Sequence, residues 1–123
     1  MKISAILWGA ALGALGVCIG AFGAHALKPI LIETGRSETF ELAVRYQFYH
    51  ALALVATGIL IRQRESQPLH YGALCFLLGI LFFSGSLYVL CFTGLGILGA
   101  VTPIGGVFFI AGWILLFAGA YKN

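Results

Sequence analysis

Charged residues are scarce in this sequence. They make up 9% of its 123 residues, with four acidic and seven basic side chains and a net charge of +3. Soluble domains carry about a quarter charged residues, so this chain has too little polar surface to coat a particle in water. The basic residues are spread along the chain without a cluster, which argues against nucleic acid as a partner.

Cysteine is also scarce, and the spacing of the three cysteines is not that of a metal site. Cys18, Cys75 and Cys91 lie inside apolar runs, where a thiol behaves as a small hydrophobe. The sequence contains no GxSxG, no HExxH, no phosphate-binding glycine loop and no pair of carboxylates inside an apolar run. We therefore expect no metal, no cofactor and no enzymatic activity.

Apolar residues, by contrast, make up 61% of the chain, and the mean hydropathy is +1.03. Four apolar runs approach the roughly 20 residues needed to cross a hydrocarbon core. In that environment the backbone N–H and C=O groups must hydrogen-bond to one another, because no water is present, and this favours helices. We predict an all-α membrane protein, a single domain over residues 1–123 and an antiparallel bundle of four transmembrane helices at about 3–27, 40–61, 69–92 and 103–121. Pro103 is expected in the first turn of the fourth helix, with Thr102 as its cap.

The first run has two other interpretations. Lys2 before an apolar run and the small-x-small segment 24–26 resemble a signal peptide, but the run is longer than a usual signal-peptide core. A lipoprotein signal at Cys18 is disfavoured because Val17 stands where a small residue is required. We predict that the first helix is retained.

Lysine and arginine in short loops predict the orientation. With the N-terminus inside, Lys2, Arg62, Arg64 and Lys122 are cytoplasmic, whereas Lys28 and Arg36 face outward. We therefore predict cytoplasmic N- and C-termini in a bacterial inner membrane.

Small residues recur at heptad spacing in all four runs. Helices in lipid associate where small residues let backbones approach, and a seven-residue repeat implies a left-handed bundle. Ala51 and Ser86 complete two of these series. The glycines predicted to pack the helices are Gly9, Gly13, Gly16, Gly20, Gly23, Gly58, Gly72, Gly79, Gly105, Gly112 and Gly119.

Polar side chains deep in the second and third runs form a candidate site. Counted from the outer ends of these runs, His50 and Ser84 each lie about 12 Å inward and are expected to share a layer. Gly20 and Gly112 are expected at the same depth, which leaves room for an imidazole, a water or a small ligand. The candidate intramembrane cluster comprises Tyr46, Gln47, His50, Ser84, Ser86 and Tyr88.

Two roles are open for His50. In the first, the neutral imidazole hydrogen-bonds Ser84, Ser86 or a tyrosine and locks two helices together. In the second, it titrates and helps to pass a proton or to bind a small polar solute. In both, the cost of an ionisable group at this depth places the ring inside the bundle.

Four further side chains are predicted to lie at the outer interface. Glu41 and Arg45 are four residues apart, so they can pair across one helical turn. His25 and Lys28 close the first helix, where a cation suits the helix dipole. A metal shared by His25 and His50 is not expected, because their depths differ.

Four segments together resemble one known family. They are GAFGAHAL (20–27), YQFYHALAL (46–54), FSGSLY (83–88) and TPIGG (102–106) with Gly112 and Trp113. This combination is similar to that of the YgdD/YwdK-type small inner-membrane proteins (domain of unknown function 423), whose eukaryotic relatives are called transmembrane protein 256. The resemblance implies a multi-pass bacterial inner-membrane protein without an assigned substrate, and its motifs include the polar cluster and His25.

The leading functional hypothesis is a noncatalytic structural or interaction protein. Its partners would be membrane lipid, a second copy of the chain or another membrane protein. The alternative is a small oligomeric transporter or channel for protons or a small polar solute, using the polar layer around His50. An oligomer is expected in that case, because four helices enclose little volume. An enzyme acting on a membrane-embedded substrate is the third hypothesis.

Overall fold

The computed structural model describes residues 4–121, and this part of the chain is helical without strands. Its helices are α1 (Ala5–Ala24), α2 (Lys28–Thr34), α3 (Ser37–Gln63), α4 (Gln67–Gly79), α5 (Ser86–Thr93) and α6 (Leu98–Tyr121), with a π-helical segment, Ile80–Gly85, joining α4 to α5. The continuous stretch from Gln67 to Thr93 is here called the third span. It and α1, α3 and α6 are each long and apolar enough to cross a membrane. The predicted all-α architecture with four spans is therefore confirmed.

The central pair of the fold is α3 and the third span. The first helix, α1, packs mainly on α3, and α6 packs mainly on the third span. The other faces of α1 and α6 carry large exposed apolar side chains, such as Leu7 at 68% and Phe117 at 73% exposure. Such faces suit a surrounding of lipid, which is as apolar as the side chains themselves.

The connection between α1 and α3 contains a short helix that the sequence analysis did not predict. After α1 ends at Ala24, α2 forms over seven residues and buries Leu31 against Phe40 of α3. Gly35 ends α2 at φ 70°, a left-handed conformation that glycine adopts without steric cost. The chain therefore folds back over the C-terminal end of α1 and the N-terminal end of α3.

The fourth span begins earlier than predicted, and the expected positions of Pro103 and Thr102 are wrong. α6 starts at Leu98, so Pro103 lies inside the helix and Thr102 is a helical residue rather than its cap. Pro103 has no N–H to donate to Gly99 O, four residues earlier, and the neighbouring Thr102 hydroxyl bonds a different carbonyl. Here Thr102 Oγ1 donates to Leu98 O at 3.2 Å.

Glycines of α1 lie along α3. A Cβ added to Gly9 would lie 2.8 Å from Ala51 O, and one added to Gly20 would lie 3.3 Å from Val44 Cγ1. Both distances are short for a Cβ contact, so the two backbones approach closely only because these side chains are missing.

A different contact joins the third span to α6, where phenylalanine rings lie against glycines of the opposite helix. A Cβ on Gly112 would lie 2.7 Å from the Phe76 ring, and one on Gly79 would overlap the ring of Phe109. At Gly105, a Cβ would overlap the backbone of Phe83 in the π segment. Large groups of one helix thus pack into the space where the opposite helix has glycines.

Candidate functional site

Gln47 is the residue that connects the first three spans. Its side chain is 2% exposed, and Nε2 donates to Leu12 O of α1 at 2.9 Å. The hydroxyl of Tyr88, on α5, donates to Oε1 of the same amide at 2.6 Å. The amide therefore joins α1, α3 and the third span at one point.

Ser84 makes a second connection between the third span and α3. It lies in the π segment, is fully buried and donates from Oγ to Ala43 O at 2.7 Å. Single-turn π segments inside α-helices are frequent at functional sites. On the other side of the third span, the hydroxyls of Ser86 and Thr102 are 2.7 Å apart, which ties this span to α6.

His50 connects α3 to α6. Its Nδ1 lies 2.8 Å from Tyr46 O, and the indole Nε1 of Trp113 donates to its Nε2 at 3.0 Å. Because an indole N–H only donates, Nε2 is an acceptor and the single ring proton lies on Nδ1. The neutral ring stacks on Phe109 with centroids 3.6 Å apart and an interplanar angle of 8°.

Tyr46 takes part in the same region through its ring. The ring is half-buried and stacks on Phe83 of the π segment, with centroids 4.8 Å apart. It also lies 5.9 Å from the His50 ring. The aromatic stack thus extends from α3 to both the third span and α6.

One role considered for His50 was a hydrogen bond to Ser84, Ser86 or a tyrosine that locks two helices together. Its partners are the backbone carbonyl of Tyr46, on the same helix, and the Trp113 indole, which makes the contact to another helix. The expected depth of Gly20 is wrong, because Gly20 faces Val44, whereas Gly13 lies nearest the Phe48 and Ala51 side chains. Depth counted from the ends of apolar runs assumes straight, parallel spans, and α3 in fact begins at Ser37.

An apolar crevice opens between α1 and the third span beside the Gln47 amide. It has a volume of about 410 Å³ and is lined by Trp8, Leu12, Leu15, Ile19, Leu77, Leu78, Ile80, Leu81 and Gly85, with Gln47, Ser84 and Tyr88 as its polar residues. The hydrogen bonds of those three side chains are made within the protein. The crevice therefore suits an acyl chain or an apolar side chain better than an ion.

The predicted outer-interface residues separate into two groups. Lys28, Glu41 and Arg45 line a cavity of about 600 Å³ between α1, α2 and α3. The expected pairing of Arg45 with Glu41 is present, at 3.9 Å. His25 is the C-cap residue of α1, is exposed and is not among the residues that line this cavity.

Polar contacts at the opposite end of the bundle were not predicted. Arg64, just after α3, donates to Gly119 O at 2.9 Å and also to Ala120 O, both in the last turn of α6. His70 is buried at the start of α4, with Nε2 3.0 Å from Glu65 Oε1. The arginine supplies donors to carbonyls that a helix end leaves without partners.

Sequence reasoning missed Trp113 and Thr102 as members of the polar network. Both belong to the segments that carry the family resemblance, which was the signal available for them. Over residues 4–121, no group of three histidine, cysteine or acidic side chains is arranged to hold a metal ion.

Four apolar spans, exposed apolar outer faces and polar side chains paired at depth define a multi-pass integral membrane protein. The chain belongs to the family described as "Protein of unknown function (DUF423)", whose model matches residues 19–106.

Comparison with known proteins supports this assignment along nearly the whole chain. A UPF0382 membrane protein of Staphylococcus haemolyticus is 45% identical over 122 residues, covering 99% of this chain and 98% of that protein. A UPF0382 membrane protein of Staphylococcus saprophyticus is 47% identical, with 99% of each chain covered. The UPF0382 inner membrane protein YgdD of Escherichia coli is 36% identical over 95% of this chain and 88% of its own length. No solved structure matches the chain.

Proposed function

We propose that the protein is a noncatalytic component of the bacterial inner membrane that acts through contacts with lipid, a second copy of the chain or another membrane protein. One observation carries this proposal: the deep polar side chains are already engaged with one another or with the backbone. His50 uses both ring nitrogens, and Gln47 bonds through both its amide nitrogen and its amide oxygen. A group that transfers a proton or attacks a substrate needs access to a reactant.

Reconstitution in liposomes tests the noncatalytic assignment. Purified protein should leave the lipids and a quinone pool chemically unchanged by mass spectrometry, and a pH-sensitive dye inside the liposomes should report the same proton flux as in empty liposomes. Lipid conversion or flux that disappears in His50→Phe would show that the histidine acts in chemistry or transport. Conversion or flux that persists in His50→Phe would contradict the noncatalytic assignment while removing His50 from the mechanism.

The proposal includes cytoplasmic N- and C-termini. It is supported by Arg62, in the last turn of α3, and Arg64, just after it, since the cytoplasmic ends of spans and their short loops carry an excess of basic residues. In a variant with the native cysteines replaced by alanine, Glu33→Cys should react with a membrane-impermeant maleimide on intact cells. Arg62→Cys should react only after lysis. The opposite pattern would invert the topology.

We also propose that the chain is a single domain and that its four described spans form one left-handed bundle held together by glycine contacts. The heptad spacing of these glycines and the short Cβ distances at Gly9, Gly20 and Gly112 support it. Spin-label distances along α1 and α3 should give a crossing angle near +20°. A single cooperative unfolding transition is expected for the whole chain, and two separate transitions would contradict a single domain.

A further inference from the structure

A large cavity lies at one end of the bundle, which the proposed topology places outside the cell. Its volume of about 600 Å³ lies where α2 folds back over α1 and α3. The α1 side of its wall consists of Gly20, Gly23 and Ala24, so the space arises because that wall has almost no side chains. Lys28 and Ser37 are among the polar residues that line it.

Charge in this cavity favours an anion. Its charged lining residues are Lys28, Arg45 and Glu41, two cations against one carboxylate, which leaves one positive charge in excess. The Arg45–Glu41 contact spans 3.9 Å between side chains that are 51% and 69% exposed. Such an exposed pair is weak, so the guanidinium remains available to a phosphate, which it recognises well.

An apolar groove continues from the cavity along α1 and α3. It has a volume of about 300 Å³ and shares Gly20, Val44 and Arg45 with the cavity. Its other lining residues are Gly16, Val17, Phe48 and Tyr49. Gly16 faces Gln47, while Gly20 faces Val44. The groove therefore runs from the charged end of the bundle toward its buried polar layer.

We propose that this cavity and groove bind one anionic phospholipid. Its phosphate lies between Lys28 and Arg45, and one acyl chain lies in the groove along Gly16 and Gly20. A soluble anion would leave the apolar groove unfilled, and an apolar helix would leave the two cations unmatched. The inference rests on the proposed function, because lipid binding is a noncatalytic contact within the membrane.

Native mass spectrometry of the full chain in detergent tests the site with dioleoyl phosphatidylglycerol as the probe. Lys28→Gln combined with Arg45→Gln should weaken binding by about 25-fold, since each basic residue near an anionic lipid contributes roughly fivefold. Glu41→Gln should tighten binding by about fivefold. Arg62→Gln, at the opposite end, is the matched control and should bind as the unmodified protein does.

The acyl part of the site has its own pair of variants. Gly20→Leu fills the groove and should weaken phosphatidylglycerol binding, whereas Gly106→Leu places the same side chain on α6, where a Cβ meets no atom within 4 Å. Glycerol phosphate, which has the head but no chain, should fail to compete. Dioleoyl phosphatidylcholine, which has no net charge, should bind more weakly than phosphatidylglycerol.

Equal binding by the Lys28/Arg45 double variant, equal binding of phosphatidylcholine, or full competition by glycerol phosphate would each overturn the proposal. The Glu41→Gln variant retains both cations, so it tests the charge argument even if the double variant does not fold. Loss of the lipid site would leave the noncatalytic assignment standing, because that assignment is tested by flux and lipid conversion.

Discussion

Trp113 of α6 donates the hydrogen bond that fixes the acceptor nitrogen of His50 on α3, across 3.0 Å. These two helices share few other contacts, because α6 packs chiefly on the third span. The indole is 47% exposed, so its outer edge faces the surroundings while its N–H points inward. The pair therefore ties α6 directly to α3.

Removal of this bond should destabilise the bundle measurably. Trp113→Phe is expected to lower the free energy of unfolding by about 1 kcal/mol, a usual size for a hydrogen bond between membrane helices. Trp8→Phe is the matched control, since Trp8 is 48% exposed and belongs to α1. Unfolding in mixed micelles, followed by circular dichroism, measures both variants. Equal losses would mean that the Trp113 bond contributes nothing specific.

Two adjacent glycines of α6 should respond in opposite ways to alanine. A Cβ on Gly105 would overlap the backbone of Phe83, which cannot rotate away, and overpacking of this kind costs about 1–3 kcal/mol. A Cβ on Gly106 meets no atom within 4 Å, so alanine should be neutral or stabilise the helix by up to about 1 kcal/mol. The same micelle titration measures the difference. Gly105→Ala as stable as Gly106→Ala would refute close packing at this position.

The Gln47–Tyr88 contact should appear as a coupling energy. A double-mutant cycle with Gln47→Leu and Tyr88→Phe should give about 1 kcal/mol, because the two side chains bond directly at 2.6 Å. A second cycle with Tyr49→Phe provides the comparison, since Tyr49 is 51% exposed. Its effect should add to that of Gln47→Leu without coupling. A Tyr88 cycle that is also additive would contradict the contact.

Arg64 should hold the last turn of α6 together. Arg64→Met removes its donors to Gly119 O and Ala120 O, so amide hydrogens of that turn should exchange about tenfold faster. Arg62→Met is the control, because Arg62 is exposed in the last turn of α3. Hydrogen exchange with mass spectrometry measures the two variants. Similar exchange in both would mean that solvent satisfies these carbonyls equally well.

The spans could be predicted from sequence because the membrane imposes their length. A run of about 20 apolar residues has few alternatives to a helix in lipid. The helix-capping prediction at Pro103 failed for a local reason. Proline favours the first turn of a helix, but here the preceding turn from Leu98 forms as well, and the Thr102 hydroxyl bonds its first carbonyl.

The pairings within the site could be predicted only in part. Tyr88 donates to Gln47, and Ser84 lines the same crevice but bonds the backbone of Ala43 instead. The partner of His50 could not be found by counting residues, because it depends on how α6 is rotated against α3. The π segment likewise has no signature in its sequence. It occurs where the third span meets Ala43 on one side and Gly105 on the other.

Three hydrogen bonds between spans have their acceptor on α3 and their donor on a later helix. Ala43 O, Gln47 Oε1 and His50 Nε2 all lie on α3, and their donors, Ser84, Tyr88 and Trp113, follow it in the chain. During synthesis α1 and α3 therefore enter the membrane before these donors exist. In that interval Gln47 can bond Leu12 O and His50 can bond Tyr46 O, both within the first pair of helices. The first two spans can thus satisfy these two donors by themselves, while Gln47 Oε1 and His50 Nε2 gain their partners only when the third span and α6 pack on α3.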